Sequence, residues 1–333
     1  MSNVVVSAVR TGRDRKDFFN LPWDLYANDP NWIPPLQANQ KQLLGWKSHP
    51  FQKIAEIDTF VARRGDTVVG RVAAILNHEH NRVQKDDRGF FGFFECRDDP
   101  EAAQALFDAA RAWLADRNTT TIRGPANPSM NYECGLLIEG FDTPPTFMMT
   151  YNPPYYAELV EGYGFRKTHD LLAYEGELNQ LPEVRERLLP IYNQIIERTG
   201  VTLRHMDKGQ FLKEVELFLE TYNRACVNMW GFVPFTADEL RMTAKNLKHL
   251  VVPEMALAAE VDGKAIGCVL GLPDFNPVIK RINGRLFPFG VFKILSSRRK
   301  LKRLRIISID VVPEYQRWGV GLVLMGGLIP EGL

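Results

Sequence analysis

No apolar run in this chain approaches the roughly 18 to 20 residues that a membrane-spanning helix needs, so no such span is expected. The opening residues, MSNVVVSAVRTGRDRKDFF, hold an apolar stretch too short and too interrupted for the core of a secretory leader. Cysteine is scarce. Cys96, Cys134, Cys226 and Cys268 lie far apart with no CxxC spacing, which argues against a zinc knuckle or a thioredoxin-like dithiol. They read as reduced thiols of a cytoplasmic protein. Neither sign of charge dominates: Lys+Arg 41 against Asp+Glu 40 leaves +1, so no overall field draws the chain to nucleic acid, and none is expected as a partner. No GxSxG elbow supports hydrolase chemistry. His78-Glu-His80 lacks HExxH spacing and an evident third ligand, so it reads as the polar end of a hairpin and no metal is expected.

What is present is ordinary for a globular protein: 45% hydrophobic and 24% charged residues over 333. That length suits about two domains. Strands are expected from Val4 to Val9, Asp58 to Arg64, Thr67 to Leu76, Gly89 to Cys96, Thr119 to Arg123 and Leu171 to Gly176. Asp99 as N-cap, Pro100 at the first helical position and Glu101 beside it start a helix. Its apolar residues Ala103, Leu106, Phe107, Ala110, Trp113 and Leu114 recur at helical spacing. Gly124 to Pro154 is a loop rich in Pro, Asn and Gly, and Tyr155 to Gly162 a short helix. Asn179 to Gly200 reads as a helical connector broken at Pro190. A second unit starts at Val201. It has a helix with Phe211, Val215, Phe218, Leu219, Tyr222 and Cys226 on one face, and a hairpin of Met255 to Val261 with Ala265 to Leu270. Aligning Gly70 with Gly267 places Phe60 on Leu257, Ala62 on Ala259 and Val72 on Val269, which points to a tandem repeat of one α/β fold.

The informative stretch is Arg305-Ile-Ile-Ser-Ile-Asp310-Val-Val-Pro-Glu-Tyr-Gln316-Arg317-Trp318-Gly319-Val320-Gly321. A strand, Ile306 to Val312, feeds a polar turn closed by Pro313 and then a glycine-bearing helix start. A helix N-terminus offers unpaired N–H groups and partial positive charge, so this turn is an anion cradle. Arg317 adds a donor suited to phosphate. The dinucleotide fingerprint would need Gly or Ala where Leu324 stands, and the P-loop pattern is absent.

The string V-x-P-x-x-Q-R-x-G-x-G after a strand resembles the pyrophosphate-binding motif of the GNAT-type N-acetyltransferase superfamily. That resemblance implies an α/β (α+β, three-layer) architecture with mixed central sheets: two tandem acyl-CoA N-acyltransferase-like domains over 1–178 and 201–333, joined by 179–200. It implies acetyl-CoA or another acyl-CoA as donor substrate, a small-molecule or other amine as acceptor, and direct attack of the amine on the thioester. The backbone of Ile309, Asp310 and Val311 would pair with the pantetheine arm. An N–H near Val312 would polarise the carbonyl, and the N–H groups of Gln316, Arg317, Trp318, Gly319, Val320 and Gly321 would hold the pyrophosphate. The first half resembles the same fold through Tyr156 to Phe165, but its turn, Arg97-Asp98-Asp99-Pro100-Glu101, sets carboxylates where a pyrophosphate would lie. Only the second half is therefore expected to bind coenzyme A. That half stops twelve residues after Gly321, with Pro330 and Gly332 in the expected helix, which suggests a cut-short domain.

Three further features stand outside the motif. Val278 to Arg305 holds ten basic residues and no acidic one. It reads either as a solvated loop between strands or as a docking patch, Lys280 to Arg305, for the coenzyme's 3′-phosphate, an acidic acyl carrier protein or an anionic membrane face. Asp310 either orients or deprotonates the amine, or is a satisfied side chain near the strand end. Asn127, Asn131, Asn152 and Tyr155 either line an acceptor pocket or belong to a rigid surface loop. Apart from an acyltransferase, including one fed by a carrier protein, a non-catalytic binding protein built from decayed domains also fits these features.

Overall fold

The computed structural model describes residues 3–177, 180–248 and 250–328. The chain forms two units, Met1–Leu171 with Phe275–Ile294, and Leu172–Asp274 with Leu295–Leu333.

The first unit runs β1 (Val4–Ala8), α1 (Gly12–Leu25), α2 (Gln37–Leu43), β2 (Ala55–Arg64), β3 (Thr67–Asn77), α3 (His78–Gln84), β4 (Arg88–Cys96), α4 (Pro100–Ala115), β5 (Thr121–Arg123), β6 (Ala126–Asn127), β7 (Glu133–Cys134) and α5 (Tyr156–Gly162). Its five-stranded sheet has the order β1-β2-β3-β4-β5. It is antiparallel up to the parallel β4–β5 pair. Side chains alternate faces along each strand. Val72, Ala74, Phe91 and Phe94 therefore meet Leu106 and Phe107 of α4 on one face, while Val61, Ala73, Ile75 and Phe90 meet Phe18 of α1 on the other. Helix α4 starts as its sequence dictates, with the Asp99 carboxylate accepting from the Ala102 N–H at 3.1 Å.

The second unit continues with α6 (Leu181–Thr199), β8 (Thr202–His205), α7 (Phe211–Ala225), α8 (Ala237–Leu247), β9 (Ala256–Val261) and β10 (Lys264–Pro273). After β10 come α9 (Asn276–Arg281) and α10 (Gly290–Ser297), then β11 (Leu304–Val311) and α11 (Val320–Gly327). The four-stranded sheet has the order β8-β9-β10-β11, antiparallel throughout. Val269, Val312, Val323 and Leu324 form its core with Ile195 of α6.

The repeat extends to register. Ala62 faces Gly70 and Phe60 faces Val72, as Ala259 faces Gly267 and Leu257 faces Val269. Each glycine lets one helical leucine sit against the sheet. A Cβ at Gly70 would lie 2.6 Å from Leu106, and one at Gly267 would lie 3.2 Å from Leu324.

Several expectations need correction. Residues 275–294, assigned by sequence to the second domain, pack with the first unit. The run from Lys280 to Arg305 is not a simple loop, because it contains the end of α9 and all of α10. Pro190 does not break α6: the residues around it are exposed, so water can satisfy the carbonyl that proline leaves unpaired. No strand forms over 171–176, where Leu171, Leu172 and Tyr174 are exposed with no neighbouring strand to pair with. His78 and His80 open α3 rather than ending a hairpin. The boundary drawn at 178/179 and the helix breakers Pro330 and Gly332 lie outside the described residues.

Candidate functional site

Strand β11 is the edge of its sheet among the described residues. The Val312 N–H donates to the Ile266 carbonyl at 2.9 Å. It is therefore not free to polarise a thioester, contrary to the expectation for it. In an antiparallel ladder, inward and outward groups alternate. Asp310, opposite Cys268, turns its main chain inward like Val312, while Ile309 and Val311 turn theirs to the open edge. The Gln316 side-chain amide confirms this direction by donating to the outward Val311 carbonyl at 3.1 Å. Of the three residues expected to pair with an extended ligand, two face the right way.

The turn after β11 is held from α6. Tyr315 and Trp318 meet edge to face with ring centroids 4.7 Å apart and pack on the core of the unit. Arg198 donates to the Trp318 carbonyl at 3.2 Å. Gly319 has φ +85°, and a Cβ there would sit 2.7 Å from Ile195, so both backbone and packing demand glycine. Gln316, Arg317 and Trp318 lie in a 3-10 turn, whose own carbonyls compete for their N–H groups. Gly319, Val320 and Gly321 are the N-cap and first two positions of α11, where a helix leaves its N–H groups without acceptors inside itself. The space beside Gly321 is open, with nothing within 4 Å of an added Cβ. Three amides, a helix start and the exposed Arg317 make an arrangement that fits a diphosphate.

Asp310 is buried on the side of β11 facing α7. Cys226 and Cys268 donate to its two carboxylate oxygens at 3.6 and 3.7 Å, and Cys268 also reaches the Phe218 carbonyl at 3.7 Å. Burial pushes the Asp310 carboxyl above the ordinary aspartate range, although hydrogen bonds from Ser308 and the two thiols oppose it. Burial also pushes the Cys226 thiol up to about 12, with Asp310 adding to the effect. The carboxyl group is thus a stronger base than an exposed aspartate, held by weak donors. Sequence reasoning missed both thiols and the α6 residues Ile195 and Arg198. The only advance signal was Cys226 on the apolar face of α7.

The first unit carries a different set at the matching register. Glu95 faces Arg71 as Asp310 faces Cys268. Tyr26 and Tyr156 donate to one Glu95 oxygen at 2.9 and 2.8 Å, and Arg71 lies 3.5 Å from the other. Burial raises the Glu95 carboxyl against the pull of Arg71 and the tyrosines. At the helix start, Arg64 holds Asp99 and Glu101 at 2.9 and 2.8 Å. The main chain of β4 is covered by its own loop: Phe93, at φ +48°, donates its N–H to Asn127 at 2.6 Å. Gly92 lies so close that a Cβ would come within 1.8 Å of the Ala126 carbonyl. Asn152 bonds the Leu137 backbone and Tyr155 the Cys96 carbonyl. Asn127, Asn152 and Tyr155 therefore brace a loop instead of lining an acceptor pocket.

Among the described residues no cluster of three or more His, Cys, Asp or Glu side chains could hold a metal ion. No helix of the described residues is long and apolar enough to cross a membrane.

No family model matches the chain. Protein YghO of Escherichia coli (strain K12) is 37% identical over 313 residues, covering 93% of this chain and 79% of that protein. The bacterial ceramide synthase of Caulobacter vibrioides is 37% identical over 319 residues, covering 93% of this chain and 80% of that protein. Among solved structures, a tandem GNAT protein from the clavulanic acid biosynthesis pathway aligns over 97% of this chain and 83% of its own, with TM-score 0.47 and 12% identity. An aminoglycoside acetyltransferase from an uncultured soil metagenomic sample aligns over 53% of this chain and 95% of its own, with TM-score 0.32 and 8% identity. With two sheets of repeated register, one ending in the GNAT-type turn read from its sequence, the chain belongs to the family of the Caulobacter ceramide synthase and Protein YghO.

Proposed function

We propose that the second unit is an N-acyltransferase that moves a fatty acyl group from acyl-CoA to the amine of a long-chain amino alcohol. The observation that carries the reading is the start of α11, at the amides of Gly319, Val320 and Gly321, beside the open edge of β11. A diphosphate on those amides leaves the pantetheine arm to run along Ile309 and Val311 as an added strand would. The name of the Caulobacter relative supports the acceptor class, since a ceramide is the amide of a fatty acid with such an amino alcohol. The outward Val311 N–H takes the carbonyl-polarising role first expected near Val312.

In the reaction the amine nitrogen attacks the thioester carbon. The C–N bond forms, the C–S bond breaks, and the amine proton ends on the coenzyme A thiol. Asp310 is the proposed proton acceptor, its carboxylate made a stronger base by burial. The first unit serves as a scaffold, because its own turn pairs carboxylates with Arg64. The four free thiols support a reducing compartment such as the cytoplasm.

Thermal melting with free coenzyme A and with acetyl, octanoyl and palmitoyl thioesters tests the site, since ligand binding raises the midpoint with dose. Incubating each thioester with a long-chain amino alcohol should then release thiol and form amide one for one, best with palmitoyl. No shift with any of these ligands would overturn the reading. Turnover with an acyl carrier protein thioester but not with acyl-CoA would replace the donor and give the basic run its partner.

A further inference from the structure

We propose that the segment Arg281–Lys293 is a membrane-docking element: the rings of Phe287, Phe289 and Phe292 enter the interface of an anionic lipid bilayer, steered by the cations beside them. The rings are 80%, 68% and 68% exposed. Single exposed apolar residues are commonplace, but three phenyl rings within six positions are not.

The base of the segment is built to hold them there. Trp23 donates to the Asn283 side chain at 2.6 Å, and the Gln37 N–H donates to the Gly284 carbonyl at 3.0 Å. Asn276 donates to the Pro145 carbonyl at 2.6 Å. Gly284, at φ +68°, lies so close to Pro35 that a Cβ would stand 2.1 Å from its carbonyl oxygen. Ile279, Ile282 and Ile294 are buried beneath. Val291 closes the tip by donating to the Leu286 carbonyl at 2.9 Å. The anchored side of the segment is thus satisfied, and the phenyl rings are what remains turned outward.

Charge identifies the occupant. Arg281, Arg285 and Lys293 are exposed within the segment. From Val278 to Arg305 the sequence has ten basic residues and no acidic one. Several of these cations also hold partners within the protein: Lys280 donates to the Pro30 carbonyl, Arg281 to the Pro277 carbonyl at 3.3 Å, Arg298 to the Val251 carbonyl and Arg303 to Glu175. Lys293 and Arg305 are engaged as well. Their charge still faces outward where they are exposed. Phenyl rings neither donate nor accept strong hydrogen bonds. A protein partner would need a shaped pocket for each ring, whereas a bilayer interface needs only apolar depth and negative headgroups. The rings and cations of this segment meet both needs, independently of what the second unit catalyses.

The test is co-sedimentation of the full chain with phosphatidylcholine vesicles, pure or carrying about one-third phosphatidylglycerol. The expected result is pelleting with the anionic vesicles that weakens as salt rises. The triple variant F287S/F289S/F292S should lose about tenfold or more of that partitioning with an unchanged circular dichroism spectrum. R281E/R285E, which leaves the rings in place, should lose binding to anionic vesicles alone. That second variant keeps the proposal testable should the first fail to fold. Failure of the unmodified chain to pellet, or pelleting of R281E/R285E equal to it, overturns the proposal. So does light scattering that finds a dimer converted to monomer by the triple variant, since the rings would then cover a second copy of the chain.

Discussion

Glu95 and Asp310 occupy the same register of two repeated sheets, yet the molecule treats them in opposite ways. Glu95 is closed into a buried network with Arg71, Tyr26 and Tyr156. Asp310 is buried more fully but meets Ser308 and two thiols, the thiols being among the weakest donors a side chain offers. The same contrast holds one turn later. The first unit caps its helix start with Asp99 and Glu101 on Arg64, while the second starts its helix on Gly319 with no side-chain cap. A duplicated fold can thus keep its core and register while one copy converts its polar groups into bracing and the other leaves them available for chemistry.

The sharpest way to break this comparison is to truncate both acids. Glu95→Ala leaves Arg71 buried without its counter-charge and should cost about 3–5 kcal/mol by urea unfolding. Asp310→Asn should stay within about 1 kcal/mol, because an amide oxygen can still accept from Ser308 and the two thiols are weak donors, while lowering amide formation. Equal costs would make Asp310 another brace. Next in size is Gly319→Val, where the left-handed backbone alone costs about 1–2 kcal/mol and Ile195 blocks the side chain. It should also abolish stabilisation by acyl-CoA in thermal melts.

A smaller effect probes the first unit. Asn127→Ala frees the Phe93 amide and should cost about 1–2 kcal/mol. Calorimetry should still give one acyl-CoA per chain, and a second equivalent would show that the first unit is merely masked. Smallest are the opposed acid responses of two aspartates. Asp14, held low by the Thr11 cap and Arg63, gives stability that is present above the usual carboxylate pKa near 3.9 and is lost as pH falls through its depressed value. Asp310, held high, gives stability that is present below about 3.9 and is lost as pH rises through its elevated value. Asp14→Asn should flatten the acid limb of a stability–pH curve and Asp310→Asn the limb above it.

Local pattern made much of this legible in the sequence. Alternation with a turn glycine located both hairpins to within a few residues, and their alignment foretold the shared register, because a one-residue slip would invert every side chain. The Asp99–Pro100 start of α4 was readable for the same local reason. The strand–turn–helix at Asp310 to Gly321 was visible, but its hydrogen bonds were not: that Val312 bonds Ile266 while Val311 faces outward depends on where a bulge falls in the neighbouring pair. Contacts distant in sequence were invisible. Cys226 reaches Asp310 across 84 positions, and Trp23 reaches Asn283 across 260. No spacing rule relates such residues, so neither the thiol pair nor the return of residues 275–294 to the first unit was foreseen.

That return shapes how the protein can be made. The first unit's Trp23 must wait for Asn283, so a nascent chain released as far as α5 holds an unfinished lobe whose last piece is still to be translated. An expression plasmid ending near residue 171 would supply that lobe without its keystone, and its product should aggregate or need the missing peptide added back. Separating the halves for study therefore calls for a circularly rearranged or spliced gene, not a single cut.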